Sequence, residues 1–140
     1  MDETEIRRRL GEERVAYLAT TGADGKPHIV PICFVLMAGE IFFAVDHKPK
    51  STTDLQRLRN IAANPDVAVL ADHYEEDWDR IWWVRVDGRA RVLDAGDAAE
   101  RAIDALSARY PQYRNARPLG PVVSIRIERL SGWSASASTA

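Results

Sequence analysis

The sequence predicts a mainly β, α+β fold: a six-stranded antiparallel barrel, closed or nearly closed, with helices packed outside it. Three observations carry that expectation. Six short apolar runs are separated by turn signals. Their order, β-β-β-α-β-β-α-β, lacks the regular strand–helix alternation of a parallel sheet. The fifth run alternates cleanly between apolar and charged positions, as a half-exposed antiparallel strand does. Length and composition agree: 140 residues make one domain, and 46% hydrophobic with 29% charged residues is ordinary for a globular chain.

Asp2 and Glu5 have capping-box spacing, which predicts a helix over residues 3–13. A strand over 15–20 then stops at Gly22-Ala-Asp-Gly25, a hairpin signal. The return strand, 27–37, has two alternating residue sets that are both apolar, so both of its faces must be covered. Ala38-Gly39-Glu40 turns into a third strand, 41–45, which His47-Lys-Pro-Lys50 breaks. Leu55, Leu58, Ile61 and Ala62 give a helix over 53–63, ended by Asn64-Pro65.

A fourth strand, 67–71, leads into an acidic loop, 72–79, carrying His73, Tyr74 and Trp78. The fifth strand, 81–93, sets Arg85, Asp87, Arg89 and Arg91 on one face and Trp82, Val84, Val86, Ala90 and Val92 on the other. Asp97 opens a helix with Ala99, Ala102, Ile103, Leu106 and Tyr110 on one stripe. A proline-rich loop, 111–121, precedes the sixth strand, 122–128. The expected organisation is one domain, 1–133, followed by a flexible C-terminal tail, 134–140.

Nineteen Lys+Arg against 21 Asp+Glu leave a net charge of −2, which argues against nucleic acid or an anionic membrane as partner. No apolar run reaches the roughly 20 residues of a membrane span, and the N-terminus lacks the apolar core of a secretory signal. Cys33, the single cysteine, rules out an intrachain disulfide or a paired-cysteine redox motif. A cytoplasmic protein is expected. His28, His47 and His73 have no metal-ligand spacing, so no metal is expected. Gly22-x-x-Gly25 lies in a hairpin rather than a strand-to-helix turn, and no GxSxG elbow occurs.

The segment after the third strand is the most informative. Lys48, Lys50, Ser51 and Thr52 lie between a buried strand and a helix start, where unpaired N–H groups and the helix dipole favour an anion. The plainer reading has the hydroxyls cap the helix and the lysines face water. Trp78, Trp82, Trp83 and Trp133 are many for this length. Core filling accounts for at least one of Trp82 and Trp83, whereas Trp78 and Trp133 suit an interface or a stacking surface for a flat ligand.

These residues also fall into a family pattern. Residues 15–32, from Val15-Ala-Tyr-Leu through Gly25-Lys-Pro-His to Val30-Pro-Ile, resemble the opening hairpin of the pyridoxamine 5′-phosphate oxidase-like split β-barrels. Phe43-Ala-Val, Lys48-Pro-Lys50, Leu58-Arg-Asn-Ile-Ala-Ala-Asn-Pro65 and Asp87-Gly-Arg-Ala-Arg-Val92 resemble the sections that follow. With Asp77-Trp78 and Ser131-Gly-Trp-Ser134, the chain looks most like the actinobacterial branch that uses the deazaflavin coenzyme F420.

The resemblance implies a six-stranded split β-barrel of the FMN-binding-like type. It also implies an oxidoreductase that moves a hydride between F420 and an unidentified small-molecule substrate, in a homodimer with interfacial cofactor sites. The implied cofactor-binding residues are Lys48, Lys50, Ser51 and Thr52 for the phosphate, and Pro31, Ile32 and Cys33 beside the ring. Arg57 and Arg59, with Arg85, Arg89 and Arg91, are candidates for the cofactor's anionic tail, and Trp78 and Trp133 for stacking or the interface. No catalytic residue is assigned, because the cofactor carries the chemistry; His73 or Tyr74 are candidate proton donors. The alternatives are FMN as cofactor, or a non-catalytic binder of a flavin, deazaflavin or haem.

Overall fold

Asp2 begins the first helix as its spacing predicts. Its carboxylate accepts a 2.8 Å hydrogen bond from the Glu5 amide, and α1 runs Glu3–Glu12. The structure, a computed structural model, describes residues 1–45 and 55–136. Its further elements are β1 (Ala16–Thr21), β2 (Pro27–Ile32), β3 (Val35–Met37), β4 (Glu40–Ala44), α2 (Gln56–Ala63) and β5 (Asp66–His73). After a 3₁₀ turn, Trp78–Arg80, come β6 (Trp82–Leu93), α3 (Asp97–Arg109), α4 (Pro111–Asn115) and β7 (Val122–Ser134). All the strands join one antiparallel sheet in the order β2-β1-β5-β6-β7-β4-β3, curled into a half-barrel.

Seven strands stand among the described residues where the sequence predicts six. The expected second strand is two, interrupted at Cys33 and Phe34. The cause lies 75 residues away. The Tyr110 hydroxyl accepts a 3.1 Å bond from the Phe34 amide, and Arg109 donates a 2.8 Å bond to the Phe34 carbonyl. With both backbone groups taken by side chains, Phe34 makes no ladder bonds. β2 then pairs with β1 and β3 with β4, at opposite edges of the sheet. The barrel is split at this point.

The expected loop 111–121 opens with the short helix α4, β5 runs past its expected end to His73, and two further differences bear on the site. α2 begins at Gln56 rather than at residue 53, with Leu55 in the N-cap position; Ser51, Thr52 and Thr53 lie outside the described residues. β7 continues to Ser134, because β6 is 12 residues long and pairs with it from Trp82↔Ser134 to Leu93↔Val122. Trp133 therefore lies on a strand, not beyond it. A bulge at Asp87/Gly88 bends the pair, and a Cβ on Gly88 would lie 2.4 Å from the Arg126 carbonyl oxygen, so only glycine fits.

The apolar residues form two layers. Inside the half-barrel, Leu18, Phe43, Val69, Val84, Val86 and Ile125 pack with Ile6 and Leu10 of α1 and Ile61 of α2. Outside, Ala99, Ala102, Ile103 and Leu106 of α3 lie on Phe42, Ala44 and Val122, along the stripe read from the sequence. The buried Asn60 ties α2 to the sheet, donating a 3.0 Å hydrogen bond to the Thr20 hydroxyl and accepting one of 2.6 Å from Gln56. No described helix is long and apolar enough to cross a membrane.

Candidate functional site

Alternation sends Leu18, Val69 and Val84 inward and leaves Tyr17, Leu70 and Trp83 on the sheet's outer surface. The register aligns them. Pro31 faces Tyr17, Tyr17 faces Leu70, and Leu70 faces Arg85. In the neighbouring rows Ile29 faces Ala19, and Asp72 faces Trp83, which faces Trp133. These side chains and Tyr74 shape an open, largely apolar concavity of about 550 Å³ lined by Tyr17, Ile29, Ala68, Leu70, Tyr74 and Trp83 among others. Ile29 is 65% exposed and Trp133 47%.

A second concavity of about 450 Å³ opens beside the split, lined by Arg14, Val15, Cys33, Tyr110 and Tyr113 with Pro111 and Gln112. Burial raises the Tyr110 pKa above its ordinary value. Its hydroxyl also lies 2.8 Å from the Arg14 carbonyl oxygen, so Tyr110 serves as a clasp between α3, α1 and the split.

The predicted site residues are spread over these surfaces. Pro31 is exposed at the β2 edge, and the Ile32 side chain is buried in the barrel, so a ligand there would meet Ile32 through its backbone. Cys33 is half-buried at the split. Arg57 is half-buried and Arg59 exposed in the first turns of α2, where Arg59 donates a 2.7 Å bond to Gln56. Lys48, Lys50, Ser51 and Thr52 lie outside the described residues; the chain enters that segment after Val45 and leaves it before Leu55. Trp78 is 77% exposed on the 3₁₀ turn, and Trp133 pairs across the sheet with Trp83.

Of the two candidate proton donors, Tyr74 is exposed at the rim of the apolar concavity, while His73 is engaged. Its ring stacks on Trp82, and its Nε2 hydrogen-bonds Glu75. That bond, helped by the charge of Arg80, holds the Glu75 pKa below the ordinary carboxylate value. No group of three or more metal-ligating side chains occurs among the described residues. Sequence reading did not find Tyr17, Ile29 and Leu70 as parts of one surface. Their outward phase was readable from alternation, but their adjacency depends on strand order.

The sequence pattern of pyridoxamine 5′-phosphate oxidase matches residues 2–134. The chain belongs to that family. One relative, an F420H2-dependent biliverdin reductase of Mycobacterium tuberculosis, is 33% identical over 127 residues, covering 88% of this chain and 82% of the relative. The crystal structure of a conserved hypothetical protein of M. tuberculosis, Rv2991, superposes with a TM-score of 0.78 at 26% identity, covering 96% of this chain and 86% of that one. The haem storage protein HutZ of Vibrio cholerae shares the fold, with a TM-score of 0.74 at 18% identity over 94% of this chain and 93% of its own.

Proposed function

We propose that this protein is an F420-dependent oxidoreductase acting on a small organic substrate, with two copies of the chain forming each cofactor site. The observation that carries this reading is its 33% identity to an F420H2-dependent reductase along nearly the whole chain.

The residues suit such a cofactor. A flat ring needs an apolar wall that displaces water, and the outer surface offers Tyr17, Ile29, Leu70 and Trp83 beside the exposed backbone edge at Pro31. The ring would rest along Pro31, Ile32 and Cys33, where the strand breaks and backbone groups leave the ladder. Lys48, Lys50, Ser51 and Thr52 carry the charge and hydroxyls that a phosphate group requires, with Arg57 and Arg59 following on α2. When bound, reduced F420 supplies the hydride. The chain's own work is to hold that group, exclude water with its aromatic surface, and present Tyr74 as a proton donor at the rim.

Fluorescence titration of F420 and FMN at two ionic strengths tests this reading. F420 is expected to bind more tightly, by a margin that shrinks with salt because its oligoglutamate tail adds negative charge. Lys50→Ala should weaken F420 binding by about 1.5–3 kcal/mol, the scale of one charge-assisted hydrogen bond. Tighter FMN binding at both salts would overturn the cofactor assignment.

A further inference from the structure

We propose that a third cleft, between β4, β7 and the end of β6, binds a small, multiply charged oxyanion. It measures about 630 Å³ and is lined by Glu40, Arg89, Arg91, Ser124 and Arg126, with Pro65 on its rim. Three strands build it in strict register. Arg89 of β6 faces Arg126 of β7, Arg126 faces Glu40 of β4, and Arg91 faces Ser124. Like charges placed directly opposite one another across a ladder destabilise it. Arg89 and Arg126 make such a pair, and Arg91 adds a third guanidinium one step along the same face.

Among the described residues each of the two also has a carboxylate opposite it on its other side, Asp66 for Arg89 and Glu40 for Arg126. Arg89 reaches Asp66 at 3.6 Å and Arg126 reaches Glu128 at 3.3 Å, both in exposed pairs of the kind that contribute little. Arg91 makes no ion pair or hydrogen bond among the described residues. The carboxylate that lines the cleft, Glu40, accepts a 2.7 Å hydrogen bond from the buried Ser124 hydroxyl, which holds it in place and leaves its charge intact. Three arginines against one carboxylate thus line the concave surface, an excess of positive charge. A doubly or triply charged oxyanion there would screen the Arg89–Arg126 repulsion and accept paired N–H bonds from the guanidinium forks. Phosphate esters and polycarboxylates share that chemistry.

This cleft is not the segment expected to hold the cofactor phosphate. Glu40 opens β4 at the cleft, and Ala44 ends that strand about 13 Å away at the usual rise per residue. Arg89 and Arg91 are also candidates for the cofactor's anionic tail, so a polycarboxylate ligand rests on the F420 reading, whereas a phosphate-ester ligand does not.

Calorimetric titration of the full chain at low salt with pyrophosphate and with citrate tests it. We expect one saturable event that fades as salt is added, with the tighter probe identifying the class as phosphate ester or polycarboxylate. Arg91→Gln should weaken binding about tenfold, and Lys50→Ala should leave it unchanged. The decisive variant is Arg89→Gln. It should weaken binding about tenfold, whereas the charge-conserving Arg89→Lys should keep most of it. A merely solvated ion network predicts no saturable binding and no difference between the two variants. No saturable event, unchanged affinity in Arg91→Gln, or abolition by Lys50→Ala would each overturn the assignment.

Discussion

The outer surface of the sheet has two halves, and the described residues cover only one of them. On β4 and β7, the outward Phe42, Ala44 and Val122 lie beneath α3 and are buried. On β2, β1 and β5, the outward Ile29, Tyr17 and Leu70 are the same kind of residue in the same phase, yet Ile29 stays 65% exposed. Composition does not separate the halves. Reach does, since the 13 residues of α3 make a rod of about 20 Å, enough for one half of the sheet. Apolar area left over on a sheet in this way marks a site of association. We propose that a second copy of the chain covers it as a C2 homodimer, with cofactor sites where the two copies meet.

The largest expected effect breaks the comparison directly. Leu106→Ala, in the buried stripe of α3, should cost about 2–5 kcal/mol at any protein concentration. Leu70→Ala, on the uncovered half, should cost far less in dilute solution and more as concentration rises, because only association buries it. Denaturant unfolding at nanomolar and micromolar protein, alongside light scattering, measures both. A Leu70→Ala effect that ignores concentration, together with a monomeric mass at micromolar protein, would sink the second copy.

The same contrast shows what sequence reading reaches. The long helices and every strand except the divided second one were legible, because period-two alternation and the α3 stripe are local patterns. Trp82 and Trp83 were correctly sent to opposite faces for that reason. The split was not legible: residues 27–37 are apolar throughout, and the break at Phe34 is made by Arg109 and Tyr110 from another element. The start of α2 was placed early because Ser51, Thr52 and Thr53 have cap chemistry, whereas the helix begins at Gln56 after Leu55. For the site, residue types were readable and neighbours were not. Arg89 and Arg91 show in the alternation of β6, but only the register sets Arg126 against them. The segment at Lys48 and Lys50 was singled out by its chemistry alone and lies outside the described residues.

The covered half can be tested next at its clasp. Tyr110→Phe keeps the ring and removes the hydroxyl, leaving the buried Phe34 amide without its acceptor. The expected cost is about 1–3 kcal/mol, measured by denaturant unfolding. The variant should also change the alkaline side of the stability curve. Burial raises the Tyr110 pKa, so the folded chain keeps its proton at a pH where the unfolded chain has lost it. The stabilisation is complete below the ordinary tyrosine value of 10.0 and is lost as pH rises through the folded value. Wild type should therefore weaken above pH 10 more steeply than Tyr110→Phe; parallel curves would show that the hydroxyl contributes nothing specific.

The smallest expected effect lies at the edge of the uncovered half, where charge rather than burial holds the chain. Glu75 bridges His73, at the end of β5, and Arg80, at the end of the 3₁₀ turn, so it fixes the approach from β5 to β6. The hydrogen bond from His73 lowers its pKa. A lowered carboxylate pKa means that the folded chain releases the proton more readily than the unfolded chain, so stability grows as pH rises. The contribution of Glu75 is thus present above the ordinary value of 4.5 and lost as pH falls through the folded value. Glu75→Gln should lower Tm slightly at neutral pH, by less than either core variant, and the gap should close below pH 4 and shrink with added salt. Thermal melts of both proteins across pH 3–7 at two salt concentrations measure this. A gap that persists at pH 3 would mean that Glu75 acts through shape rather than charge, and that both halves of the surface are held by contact alone.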